Sequence, residues 1–209
     1  MLLIWNHVSH SPGFEMLEGS GVAGSQTREL LPFDGVELAG SNEVTIRVGG
    51  EPSVVVHADD NLLDRVTTRV RDGKLVIGNE AGGFTMRNPI RVDVTVPAVD
   101  ELALSGSGTI DVEGIDADAL AIALSGSGAV SASGRAGRVD VELNGSGDVR
   151  LQDLVAQDVH AKMSGTGRIA VHATDRLAAT VPGTGSIVYT GNPPSVRKSV
   201  SGIGSVSVR

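Results

Sequence analysis

The stretch Leu104-Ser105-Gly106-Ser107-Gly108-Thr109-Ile110 decides the architecture, because its central tetrapeptide, Ser105 to Gly108, returns five more times before residue 209. The recurrences begin at Ser125, Asn144, Ser164, Pro182 and Ser201, in steps of 20, 19, 20, 18 and 19 residues. A motif returning at a nearly fixed period marks a solenoid, in which each repeat buries its apolar face against its neighbours. Leu104, Leu124, Leu143, Met163, Val181 and Val200 stand one residue before the motif, and Leu102, Ile122, Val141, Ala161, Ala179 and Lys198 stand two residues further back. Beyond the motif, Ile110, Val130, Val149, Ile169, Ile187 and Val206 are followed two residues later by Val112, Ala132, Leu151, Val171, Tyr189 and Val208. Apolar residues at every second position, rich in Val and Ile, form strands, and the 3.6-residue spacing of a helix is absent. Each repeat reads as strand, glycine corner, strand.

A period near 19 residues is too short for a four-stranded propeller blade and fits one rung of an all-β, right-handed parallel β-helix. Rungs stack roughly 4.8 Å apart, so the motifs span about 24 Å of axis. Corners fall at Gly106, Gly108, Gly126, Gly128, Gly145, Gly147, Gly165, Gly167, Gly183, Gly185, Gly202 and Gly204. At a corner one glycine is free to take positive φ, and stacked corners leave little room for side chains. Beside them Ser105, Ser107, Ser125, Ser127, Asn144, Ser146, Ser164 and Thr166 align in two polar rows. Two readings follow: these small residues satisfy backbone groups at the turn, or the rows form a ligand-facing ladder for a repetitive partner such as a glycan or another protein.

Upstream, Val36, Leu38, Val44 and Ile46 fill the same four apolar slots in a degenerate first coil. Strands are legible at 54–57, 66–70, 74–77 and 90–96, with turns at Asp72-Gly73 and Gly82-Gly83, and Asp59-Asp60-Asn61 reads as a polar turn. The expected organisation is a flexible tail over 1–29 and a single domain over 30–209, with irregular strands and first rungs over 30–97 and regular repeats over 98–209. Met1 to Trp5 is too short an apolar run for a signal peptide or membrane span and lacks a basic flank, and Met16 is a second candidate start. With 2% aromatic residues the core is aliphatic. The net charge of −8 disfavours nucleic acid, and the absence of cysteine excludes disulfides, Cys-ligated zinc and a cysteine lipid anchor.

Four features together resemble one bacterial family. They are the opening Phe33-Asp34-Gly35-Val36, the segment Ala58-Asp59-Asp60-Asn61-Leu62-Leu63, the strand from Pro89-Ile90 to Val96-Pro97, and the Leu-Ser-Gly-Ser-Gly repeats. This combination resembles the putative auto-transporter adhesin, head GIN domain family, a domain of unknown function, over residues 30 to 209. The resemblance implies a β-helical fold, an extracytoplasmic or envelope location, and no catalytic residues that carry over.

The residues themselves supply little chemistry. None of the corners continues to the third glycine of GxGxxG, so nucleotide binding is not expected, and the nine-residue calcium β-roll pattern is absent. Asp140 with His160, and Glu142 with Lys162, fall at matching positions of neighbouring repeats and read as lateral surface pairs, because the next repeat offers only Ala178 and Thr180 there. The acidic run Asp111, Glu113, Asp116 and Asp118 reads as solvated, with weak calcium binding as its alternative. The expected function is a non-catalytic surface or envelope interaction module needing no cofactor. A β-helical polysaccharide-binding or polysaccharide-cleaving protein and an intracellular scaffold are the alternatives. Lys198 breaks the apolar ladder in the last repeat, so the solenoid end is either capped there or buried in a homo-oligomer.

Overall fold

The computed structural model describes residues 16–209. Strand makes up 68% of the described residues, in stacked parallel coils that form a β-solenoid of about 5 turns. The strands of the first half are β1 (Leu17–Glu18), β2 (Ala23–Thr27), β3 (Gly35–Gly40), β4 (Glu43–Val48), β5 (Ser53–Asp59), β6 (Val66–Arg71), β7 (Lys74–Asn79), β8 (Phe84–Thr85) and β9 (Arg91–Val96). The regular coils follow as β10 (Glu101–Gly106), β11 (Thr109–Gly126), β12 (Ala129–Gly145), β13 (Asp148–Met163), β14 (Arg168–Val181), β15 (Ser186–Thr190), β16 (Ser195–Val200) and β17 (Ser205–Val208).

The register of the stack is the repeat register of the sequence. Leu104 pairs with Leu124, Leu124 with Leu143 and Leu143 with Met163, all in parallel strands. The first coil extends the column, since Val36 and Leu38 pair with Leu102 and Leu104, while Val44 and Ile46 pair with Ile110 and Val112. Every one of these side chains is buried. Period-two alternation supplies the inward set, and stacking turns each inward position into a continuous aliphatic stripe.

The two ends of the stack differ. At the N-terminal end the parallel order stops: β7 continues onto β6 as an antiparallel hairpin, and β9 continues onto β5 and then β2, again antiparallel. The β6–β7 hairpin turns through Asp72 (φ 50°) and Gly73 (φ 78°), a two-residue turn of the kind that suits strand twist. A 3-10 helix, Asp60–Arg65, links β5 to β6 and pushes Leu62, which is fully buried, into the end of the core. At the C-terminal end β16 pairs only with β14 and β17 only with β15, and all six residues of β16 are exposed.

The expectation of a loose tail over 1–29 is corrected for its described part. Ala23–Thr27 is a strand paired with β5, and Leu17–Glu18 pairs with β8. The reason is a buried carboxylate rather than an apolar pattern. Asp59 is fully buried and accepts hydrogen bonds from the backbone N–H groups of Gly21 (3.1 Å), Arg87 (2.8 Å) and Asn88 (3.3 Å) and from the Asn88 amide (2.6 Å). Gly19 packs so closely on this carboxylate that a Cβ there would overlap it. Residues 1–15 of the expected tail, and the Met1 to Trp5 run within them, lie outside the described residues.

Candidate ligand-facing corner

The glycine corners stack backbone on backbone. Ser127, Ser146 and Thr166 each donate their N–H to the carbonyl of the first corner glycine one coil below, namely Gly106, Gly126 and Gly145, at 2.9 Å in every case. This approach leaves no space for a Cβ: one built on Gly126, Gly145, Gly165 or Gly202 would overlap the carbonyl oxygen of the glycine beneath it. Positive φ is confined to part of the column. Gly40, Gly106 and Gly126 have φ of 145°, 135° and 139°, whereas the equivalent Gly145, Gly165, Gly183 and Gly202 lie outside the left-handed region. Close stacking is therefore the common requirement, and backbone conformation is an added one in the early coils.

Ser105, Ser107, Ser125, Ser127, Asn144, Ser146, Ser164 and Thr166 are all exposed and run along this corner on successive coils. Their hydroxyls do not satisfy the turn, which corrects that expectation. The corner N–H groups already donate to the glycine carbonyls of the neighbouring coil, so the serine and threonine hydroxyls are released, while the Asn144 amide turns to Glu142. Among the described residues, the one hydrogen bond these hydroxyls make to protein is Ser146 to Thr166, at 2.9 Å across adjacent coils. The rows thus present donors and acceptors to solvent at coil spacing, roughly 4.8 Å.

Next to the ladder, the outward face of one sheet forms a shallow trough of about 420 Å³, floored by Ala121, Ala123 and Ala178. Its charged residues pair across coils as the repeat alignment demands. Lys162 donates to Glu142 at 2.7 Å, and His160 lies 3.3 Å from Asp140, which also holds Arg138 at 2.8 Å. The Lys162 ammonium, and after it the Asn144 amide, hold the Glu142 carboxyl below its ordinary range. Further along, Arg176 holds Asp158 low in the same way. In register, the Asp140 and His160 pair is followed on the next coil by Ala178, and Arg138 lies 3.3 Å from His160 Nδ1.

Asp111, Glu113, Asp116 and Asp118 are exposed, with Asp111 accepting a hydrogen bond from Ser131. Among the described residues, no group of three or more His, Asp or Glu side chains is placed to hold a metal ion. No described helix is long and apolar enough to cross a membrane. In sequence Asp59 reads as part of a polar turn, because the partners that make it structural, Gly21, Arg87 and Asn88, are scattered along the chain.

This geometry defines a class: a parallel β-solenoid with a glycine spine, a solvent-facing polar ladder and paired surface charges. Within that class, the family model described as putative auto-transporter adhesin, head GIN domain, matches residues 32–193, and the chain belongs to that family. Among solved structures, a putative adhesin from Bacteroides fragilis superposes with a TM-score of 0.77 at 21% identity, covering 92% of this chain and 100% of its own. A putative adhesin from Parabacteroides distasonis gives 0.61 at 22% identity, covering 93% and 100%. A protein from the same species described as a putative lipid binding protein gives 0.60 at 21% identity, again covering 93% and 100%. These likenesses establish the fold. No curated protein matches the chain.

Proposed function

We propose that this chain is a non-catalytic interaction module of the bacterial cell envelope that binds an extended, polyhydroxylated polymer, a glycan, along its corner ladder. The observation that carries the reading is the release of the ladder hydroxyls: backbone stacking satisfies the corner, so the Ser and Thr hydroxyls on successive coils are left for a ligand with a matching repeat. Membership of a family described in terms of adhesins, and structural neighbours named as adhesins, support surface binding over catalysis.

The scarcity of aromatic residues, 2% of the chain, makes hydrogen bonding rather than ring stacking the means of holding sugars. Binding of this sort is weak per unit and gains strength by repetition along the ladder. The test is a glycan array probed with the full chain and with the Ser127→Arg/Ser146→Arg variant. Glycans retained by the native protein and lost by the variant support the reading. Equal retention by both, or no retention on an array that includes envelope polysaccharides, overturns it. Extraction of the native protein with the cytoplasmic fraction would support the scaffold alternative. Release of reducing ends from acidic polysaccharides would support the enzymatic one.

A further inference from the structure

On the sheet beyond the corner, near the N-terminal closure, lies a second cavity of about 670 Å³. Its floor is the outward side of β5, β9, β4 and β11, neighbouring strands in one register. One row across them runs His57, Arg91, Glu43 and Thr109, and the row beside it runs Asp93, Thr45 and Asp111. Neighbouring strands stand roughly 4.8 Å apart, which puts Asp93 and Asp111 about 9.6 Å from each other with Thr45 between them. Ala23 and Gly24 of β2 line the side beyond β5, and Asn88 and Pro89 line the end where the chain enters β9. Asn88 is fixed there by its amide, which donates to the buried Asp59 carboxylate at 2.6 Å.

The lining selects a ligand by what it lacks and by how its charges are engaged. No Leu, Ile, Val, Met, Phe, Tyr or Trp borders the cavity, so an aliphatic or aromatic ligand gains little by entering. His57 Nε2 lies 3.1 Å from Asp93, and Arg91 Nε donates to Glu43 at 2.9 Å. Two of the carboxylates therefore already face a base, and Asp111 accepts the Ser131 hydroxyl, which leaves little for a free cation. An anion would meet Glu43, Asp93 and Asp111 against only Arg91 and His57. What fits is uncharged and rich in hydroxyl groups. Carboxylates accept O–H groups in charge-assisted hydrogen bonds, Arg91 donates, and Thr45 and Thr109 do either. Among the described residues, the side-chain hydrogen bonds across this floor are Arg91 to Glu43 and Ser131 to Asp111, and both threonine hydroxyls are left free.

We infer that this cavity is a saccharide subsite that holds one or two units of an uncharged sugar, with Thr45 and Asp111 as its central hydrogen-bonding groups. Its volume suits a small ligand, for which sites of about 300–1,000 Å³ are usual. The ion pairs hold the carboxylates in place beforehand, so little side-chain order has to be gained on binding. The inference does not rest on the corner ladder, since its residues lie on a different face of the coils.

The probes are maltose, cellobiose and lactose, with digalacturonate as the charged control, each titrated into the full chain and followed by saturation-transfer difference NMR. At least one neutral disaccharide is expected to bind, and digalacturonate to bind about tenfold more weakly or not at all, because its carboxylates meet like charge. Thr45→Val keeps the strand's shape and β preference. Combined with Asp111→Ala it is expected to weaken disaccharide binding about tenfold, the effect of two lost hydrogen bonds. Thr45→Val alone gives a smaller loss of the same sign, and melting curves check that both variants fold. The Ser127→Arg/Ser146→Arg variant is expected to bind disaccharide as the native protein does, which separates this site from the ladder. Four results each overturn the inference: no transfer from any neutral disaccharide, tighter binding of digalacturonate, equal affinity of the Thr45→Val/Asp111→Ala variant and native protein, or a loss confined to the ladder variant.

Discussion

The carbonyl oxygen of Gly106 accepts two hydrogen bonds from the coil above, from Ser127 N at 2.9 Å and Gly128 N at 3.1 Å, while sitting within overlap distance of any Cβ placed on Gly126. One atom therefore both stitches the coils together and forbids a side chain. Gly126 also has φ of 139°, so Gly126→Val meets steric overlap and backbone strain at once. We expect a loss of roughly 3 kcal/mol or more, read as a fall of roughly 6–12 °C in melting temperature for a chain of this size. Gly145→Val, where φ is ordinary, isolates the overlap and should fall by less.

In the stripe through Leu104, Leu124, Leu143 and Met163 each side chain is almost completely buried. Truncating its middle removes contacts to both neighbouring coils. Leu124→Ala is expected to cost about 2–5 kcal/mol, against less than about 1.5 kcal/mol for the volume-conserving Leu124→Met. Urea denaturation of the two variants checks the ordering.

Asp59 ties the N-terminal strands to the loop at Arg87-Asn88. The Arg87 N–H is the largest influence, opposed by burial, and with the Asn88 and Gly21 donors it holds the carboxyl below the ordinary aspartate range. A carboxyl whose folded value is depressed stabilises the protein fully above its unfolded value, about 3.9, and that contribution disappears as pH falls through the lower folded value. Asp59→Asn puts an NH₂ among four donors and forfeits the charge. The gap in urea midpoint between native protein and Asp59→Asn should be wide at pH 7 and narrow toward pH 2. Hydrogen exchange should also quicken over 17–27 in the variant.

Surface pairing between coils contributes little by contrast. Glu142 and Lys162 are each about half exposed, at 45% and 54% of the side chain. Solvent screens such a pair, so Lys162→Met should cost only about 0.2–1 kcal/mol, and the difference from native should shrink further in 1 M salt. A loss several times larger would show that the trough is structurally coupled to the core.

The regular coils were legible because the same constraint is written six times over: from Ser105 onward the glycines and the Leu104, Leu124, Leu143 column fix period, strand direction and register together. Even the degenerate coil at Val36 and Val44 yielded to that alignment. The N-terminal closure was not legible, since its strands were visible but nothing local states that β5 and β6 run antiparallel to the stack. β2, written Ala-Gly-Ser-Gln-Thr, has no apolar alternation to betray it, and its order derives from β5 and Asp59. For the corner, the sequence showed which residues are small and polar, but whether hydroxyls or neighbouring carbonyls satisfy the turn depends on how closely two backbones approach.

A solenoid closed at its N-terminal end by antiparallel strands and Leu62 has a polarity that a symmetric stack lacks. Lengthening by tandem duplication of a 19-residue segment can be accommodated without disturbing the Leu62 plug, because each inserted coil only moves the later coils along the axis. The length of such a chain can thus vary while its N-terminal closure is unchanged, and the ladder grows in step with the stack.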